Sequence, residues 1–300
     1  LGIAEFNVLG RPERALAAYR RAHRADPSDA RVLYELDQLR KRLGHDPASR
    51  LRDLRAELPV VLERDDLTVE YVTLLNLDGR YGEAVEILSD RRFHPWEGGE
   101  GLVSAGWVTA HRELARAALA RSEAREAVEA LRTAMTYPSN LGEGKHLLTP
   151  ENELQLLLGL ALREAGDPEG AQAWFLRAAE PQGDPAEPAG DGPYWQALAL
   201  RELGLPAAAE ERLETLAADA ETQATTEARI PSVATSLPTL LLVEDDLSER
   251  AHQDALYRAG LALLGRGRRK AAAKRFERLR DARPDHLEAR LRLVDISRRA

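Results

Sequence analysis

Two short stretches hold most of the side chains with which this chain could do chemistry. RRFHPWEGGEG, residues 91–101, brings an aromatic pair, a histidine, two carboxylates and three glycines into eleven residues. YPSNLGEGKH, residues 137–146, repeats its core: Gly142-Glu143-Gly144 follows Gly99-Glu100-Gly101 at a spacing of 43 residues. The candidate ligand residues are His94, Trp96, Glu97, Glu100, Tyr137, Glu143 and Lys145, with Phe93 beside them. Flat rings flanked by carboxylates suit a sugar, which stacks on the ring while its hydroxyls donate to the acid. Two carboxylates roughly 5–10 Å apart also serve general acid–base hydrolysis of a glycoside. His94 and His146 with the glutamates match no established metal spacing, so neither a metal nor a cofactor is expected.

A plainer account fits the same residues. Glycines permit positive φ in tight connections, Trp96 can cap a core, and Glu100 or Glu143 can bond loop amides. A third account makes the two loops a docking face for another domain. All three stay open at the level of sequence, and a self-contained active site is not expected.

Other candidates are weaker. The run 266–283 is rich in Arg and Lys, but Glu277 and Asp281 interrupt it, which reads as a solvated helix face and not a phosphate track. VEDD, 243–246, lacks the glycine and distal glutamate of a calcium loop; Asp245 or Asp246 as a helix cap is simpler. Asp37 falls where a small residue is expected at a helix contact, so it needs a salt bridge, with Arg40 or Arg55 the expected partner.

These side chains must be positioned by helices. Ala, Leu, Arg and Glu dominate, and aromatics are 5%, a mixture that favours helix. A net charge of −8 argues against a general nucleic-acid binder. The chain has no cysteine, which excludes disulfides and thiolate chemistry. Its longest apolar run, 237–243, is too short to span a membrane, and a cytoplasmic location is expected.

One pattern recurs. In residues 157–179, Gly159, Gly166, Pro168, Ala171, Phe175 and Ala178 fall at the offsets of a helix–turn–helix unit. Gly10, Pro12, Ala15 and Tyr19 repeat it, as do Gly79 with Ala84, Gly204 with Pro206 and Ala209, and Gly267 with Ala272 and Phe276. A more divergent copy runs through Ala127, Leu131 and Ala134. The unit resembles the tetratricopeptide repeat of about 34 residues. It implies an all-α, right-handed superhelical solenoid of six or seven hairpins with a concave face.

The expected division is helical hairpins over 1–64, the first truncated; hairpins over 65–179 carrying the two unusual loops; a Pro/Gly-rich loop at 180–193; a hairpin at 194–221; an irregular crossing segment at 222–247; and a last repeat with capping helix over 248–300. Asp46, Asp167 and Thr149, each just before a proline, are the expected helix caps. The expected groove residues are Tyr34, Gln38, Arg42, Arg112, Arg116 and Tyr257, together with Leu261. They lack the Lys/Asn pattern that clamps a peptide carboxylate. Equivalent junctions of a solenoid line up along one edge, so the two Gly-Glu-Gly loops are expected to be neighbours.

The non-repeat stretches DPSDARVLYELDQLRKRLG, DDLTVEYVTLLN, SDRRFHPWEGGEG, YPSNLGEGKH and ATSLPTLLLVEDD occur in that order. Together they resemble the C-terminal tetratricopeptide half of bacterial proteins carrying the domain of unknown function 5107. That resemblance implies a β-rich N-terminal domain, reminiscent of carbohydrate-active folds, ahead of the array. The functional expectation is a non-catalytic scaffold. Its partners would be that domain and a protein or peptide, with no nucleic acid and no membrane. The alternative is an accessory part of a carbohydrate-active enzyme whose loops help form a saccharide site.

Overall fold

The computed structural model describes residues 1–96, 98–183, 190–225 and 247–298. After a π-helical turn at Ala4–Val8 come α1 (Pro12–Ala25), α2 (Ala30–Arg42), α3 (Pro47–Ala56) and the single turn α4 (Leu58–Val61). There follow α5 (Asp65–Leu77), α6 (Tyr81–Asp90), α7 (Leu102–Ala120), α8 (Ala124–Ala134), α9 (Asn152–Glu164) and α10 (Pro168–Ala179). The rest are α11 (Gly192–Glu202), α12 (Pro206–Thr225), α13 (Leu247–Gly265), α14 (Arg269–Ala282) and α15 (Leu287–Arg298). There is no strand among the described residues, and none of their helices is long and apolar enough to cross a membrane.

From α5 onward each helix packs on the next, and the odd-numbered helices also touch one another: α5 on α7, α7 on α9, α9 on α11, α11 on α13. In a curved stack the inner wall has the smaller radius, so its helices approach more closely. The odd helices are therefore the inner layer of a helical-hairpin solenoid, the architecture expected from the repeat.

The repeat residues do what their sizes suggest. Ala15, Ala84, Ala127, Ala171, Ala209 and Ala272 are all buried at the contact between paired helices. Gly159 and Gly260 let an aromatic from the second helix lie on the first. A Cβ on Gly159 would stand 2.5 Å from the Phe175 ring, and one on Gly260 the same distance from Phe276. The turn between α9 and α10 shows the local logic. Gly166 takes φ +90°, which costs glycine little and L-residues about 1–2 kcal/mol. Asp167 then accepts from Gly170 N at 2.8 Å, and Pro168 opens α10 where no amide is needed. Asp46 caps α3 in the same way through Ser49 N at 3.0 Å.

Some boundaries differ from expectation. Thr149 is not a cap: α9 begins at Asn152, behind Glu151. The Asn152 side chain instead donates to Ala178 O and Glu180 O, 2.9 Å each, tying α9 to the end of α10. Helix α11 starts at Gly192, inside the stretch read as a loop, because Pro193 suits a first turn. Helix α12 runs on to Thr225, with Thr222 and Thr225 hydroxyls turned back onto the preceding turn. Residues 184–189 and 226–246, including the apolar run and the Asp245/Asp246 pair, lie outside the described residues.

Three apolar clusters form the core. One joins Ala15 and Tyr19 to Leu36 and Leu39. The second runs from Leu33 to Leu141, and the third from Ala115 to Ala289. Leu261, read as a groove residue, is wholly buried in the third.

Candidate functional site

The two Gly-Glu-Gly loops meet on one rim. Asn140 joins them: its side-chain amide donates to Leu88 O at 2.7 Å and Arg91 O at 2.8 Å, while its backbone carbonyl accepts from Phe93 N at 2.8 Å. Gly142 (φ +73°) packs so close that a Cβ would stand 2.5 Å from Phe93 O. Glu143 then reaches the start of α7, where Oε1 accepts from Gly101 N at 2.9 Å and Oε2 from Ser104 N at 3.2 Å. A carboxylate on the free amides of a helix N-terminus is favourable through both the hydrogen bonds and the helix dipole.

The other rim residues are less convergent than their spacing suggests. Phe93 is buried in the second core cluster, with Arg91 over its ring at 5.3 Å. It is not available for stacking. Trp96 is half-buried and folded over Gly99, where a Cβ would collide with the indole at 1.9 Å. His94 is exposed, and its backbone N donates to Asp65 Oδ2 at 2.9 Å. Asp65 also accepts from Arg91 Nε at 2.9 Å, and these donors outweigh burial to hold its carboxyl below the usual range. Lys145 pairs with Glu151 at 2.5 Å. Tyr137 is half-buried, and burial raises its phenol. Glu100 is exposed, and Glu97 lies outside the described residues. Three large apolar side chains stand out just after these loops: Leu102, which opens α7, and Leu147 and Leu148 are 49%, 99% and 43% exposed.

The inner face holds a different constellation, and it is not open. Arg112 on α7 is buried and bonds Glu113 and Glu153 at 2.8 Å each, and Glu288 of α15 at 2.7 Å. Arg116 bonds Glu153 at 2.5 Å and lies 3.5 Å from Asp295 of α15. Arg292, on α15 and 2% exposed, lies 3.5 Å from Glu153 and 5.0 Å above the Trp195 ring. Tyr257 is buried beside His286, ring centroids 5.3 Å apart. Burial would raise the Glu153 carboxyl, but Arg112, Arg116 and Arg292 outweigh it and hold the group at about 2. Glu113 goes the other way: burial pushes it up more than Arg112 and Arg116 pull it down. Two carboxyls driven apart are a signature of acid–base sites. Here both are already engaged by guanidinium groups, with α15 packed over them.

Of the remaining groove candidates, Gln38 belongs to a second network. Arg50 on α3 lies wholly buried between Asp37 (3.0 and 2.6 Å) and Glu70 (2.6 Å). Gln38 and Lys41 complete it on Glu70, at 3.2 and 2.9 Å. The partner of Asp37 is thus Arg50, not Arg40 or Arg55, which bond Asp53 and Glu83 on the outside. Arg50 lies on α3, whose side chain enters the gap between α2 and α5. Tyr34 is half-buried with Arg64 over its ring at 5.9 Å, and Arg42 is exposed at the end of α2. On α14, Lys270, Lys274, Arg275 and Arg278 are exposed between buried Ala272, Phe276 and Leu279, the solvated face expected.

Glu153, Glu288, Arg292 and Arg50 were not singled out from the sequence. The visible signal was charge at helix positions facing the inner wall, which one repeat alone does not distinguish from a solvated face. Among the described residues, no three His, Asp or Glu side chains group as metal ligands would. A cavity of about 720 Å³ lies between α12, α13 and α14, and none of the candidate residues lines it.

His111, on α7, titrates by burial. It packs edge-on against Trp107, centroids 4.2 Å apart, and burial lowers its imidazole to about 4. The unfolded chain takes up this proton near pH 6.5, so stability is lost as the pH falls from about 6.5 to 4. The loss is at most about 3 kcal/mol. Urea midpoints between pH 7 and 4.5 should fall accordingly, and His111→Leu should flatten that part of the profile. An unchanged slope in the variant would dismiss the assignment.

A family model recognises the repeat over part of the chain. The family model described as tetratricopeptide repeat matches residues 112–188 and 257–300. Among solved structures, the tetratricopeptide domain of P58(IPK) is similar at 15% identity, with 99% of this chain and 95% of that chain covered and a TM-score of 0.32. MamA is 16% identical over 74% of this chain and 96% of its own, at 0.26. YrrB, described as having an unusual peptide-binding site, is 18% identical over 91% and 95%, at 0.23. Likeness of this degree says nothing about what this chain binds.

Proposed function

We propose that this tetratricopeptide-repeat chain is a non-catalytic interaction scaffold, and that its Gly-Glu-Gly rim is a docking face. The partner proposed for the rim is the β-rich N-terminal domain implied by the resemblance to proteins with the domain of unknown function 5107. One observation carries this reading. The rim loops are hydrogen-bonded into a single platform by Asn140 and Glu143, yet that platform leaves Leu102, Leu147 and Leu148 in water. Large apolar side chains left in water beside an ordered pair of loops are what a docking partner would cover.

The saccharide alternative needs an open indole beside unengaged carboxylates. Trp96 is folded over Gly99, and Glu143 uses both oxygens on helix amides, so the geometry supports docking better. The bacterial, cytoplasmic setting belongs to the same proposal.

Calorimetry between this chain and the separately produced N-terminal domain tests it. Leu147→Asp with Leu148→Asp is expected to weaken association at least about ten-fold, that is by about 1.4 kcal/mol, without lowering thermal stability. No heat of binding from the native pair would sink the docking reading. Binding of oligosaccharides by this chain alone, lost in Trp96→Ala and Glu100→Gln, would favour the alternative.

A further inference from the structure

Helix α15 does not simply end the stack. It lies along the inner wall, packing on α14, contacting α5 and meeting α7 through Arg112 and Arg116, α9 through Glu153 and α11 through Trp195. In a curved array of helical hairpins, that wall is the face on which a partner would lie. The chain fills it with its own last helix.

Much of the seat beneath α15 is built without it. Arg112 and Arg116 are held by Glu113 and Glu153 at 2.5–2.8 Å, all from α7 and α9. Helix α15 adds further contacts through three residues on one face, Glu288, Arg292 and Asp295, at offsets of four and then three. Only Arg112–Glu288 is short, at 2.7 Å. Arg116–Asp295 and Arg292–Glu153 are both 3.5 Å, and Arg292 Nε and Nη2, Glu288 Oε2 and Tyr257 Oη make no hydrogen bond with described residues. On its apolar side, Ala289 is buried in the third core cluster, Leu293 and Ile296 pack against that cluster, and Val294 faces out. The hairpins close on rings and leucines; α15 adds to its apolar contacts a set of charges that are imperfectly paired.

We propose that α15 is an internal stand-in for a ligand. The inner wall is then a second, latched docking groove for a protein helix carrying acid–x–x–x–Arg–x–x–acid on one face. Such a helix places carboxylates on Arg112 and Arg116 and a guanidinium between Glu153 and the Trp195 ring, displacing α15. The groove is separate from the rim, so this inference does not depend on the rim reading.

The test uses the whole chain and a labelled peptide of residues 285–298 as probe. Glu288→Lys with Asp295→Lys sets α15 against Arg112 and Arg116 and should release it. Hydrogen exchange is expected to speed at least about ten-fold in α15 amides, with α7 and α9 amides unchanged. Fluorescence anisotropy should show the peptide binding this variant at least about ten-fold more tightly than the native chain. A peptide carrying the same two lysines should not bind. Release without tighter peptide binding would overturn the proposal, as would α15 exchange at the native rate. Should the double-Lys variant lose protection in α7 and α9 as well, Glu288→Gln with Asp295→Asn gives the milder release. If that variant also melts α7 and α9 along with α15, the last helix is an integral part of the fold and the latch does not exist. Rim variants should leave the peptide measurement untouched.

Discussion

Replacing Arg50 by Ala is expected to lower folding stability by about 3–5 kcal/mol, because it strands two carboxylates in the interior. Arg50 is wholly buried and, among the described residues, is the only group bonding both Asp37 and Glu70. Burial alone would raise the Glu70 carboxyl, but Lys41 and Arg50 together hold it at about 2. Without Arg50, Lys41 still reaches Glu70 at 2.9 Å, so Asp37 loses most and must take up a proton or admit water. The cost therefore comes from the orphaned acid more than from the lost attraction. That distinction is measurable. Urea denaturation at pH 7 should show the full loss for Arg50→Ala. The triple change Asp37→Leu, Arg50→Met, Glu70→Leu should recover most of it, since apolar replacement of a whole buried ion network is often neutral or better. A triple variant as unstable as the single one would mean that the network is needed for the register of α2, α3 and α5.

The periodic features of this fold were legible because each has a local cause. Gly166 and Pro168 mark a turn whatever surrounds them, and Ala171 and Phe175 report a helix contact within one hairpin. The pairing of the two unusual loops was legible too, since equal junctions of a stack align; Glu143 on Gly101 N bears this out over 42 residues of separation. The inner face was only half legible. Arg112 and Arg116 were among the residues expected on it, and both carry ion pairs to α15. Their partners were not foreseen, because Arg112 meets Glu288 across 176 residues and Arg116 meets Asp295 across 179. Such pairs depend on the accumulated curvature of the whole array, and small rotations at each hairpin leave no mark in any one repeat. Arg50 was hidden for a more local reason, since its partners lie only 13 and 20 residues away. A buried arginine and an exposed one look alike in sequence until the neighbouring helices are set in place.

Glu153→Ala should produce the other large loss, again about 3–5 kcal/mol, and its size follows from what surrounds the carboxylate. Three guanidinium groups converge on Glu153, from Arg112, Arg116 and Arg292, and the first and last are almost fully buried. Removing one anion leaves three cations with Glu113, Glu288 and Asp295 to share. Glu113 is itself pushed toward its neutral form by burial, so it is a poor substitute. Glu288→Ala should cost less, since its side chain is 28% exposed and water can reach Arg112 in its place. Glu123→Ala, which breaks the surface pair with Arg121, should be undetectable by comparison. The pH dependence separates an electrostatic origin from a cavity. The folded-state value for Glu153 is about 2, below the unfolded value near 4.5, so its contribution is present above pH 4.5 and is lost as the pH falls toward 2. The deficit of Glu153→Ala should therefore be full at pH 7 and shrink at pH 3. A deficit that persists unchanged at pH 3 would show that the methylenes of Glu153, packed between α7 and α15, matter more than its charge.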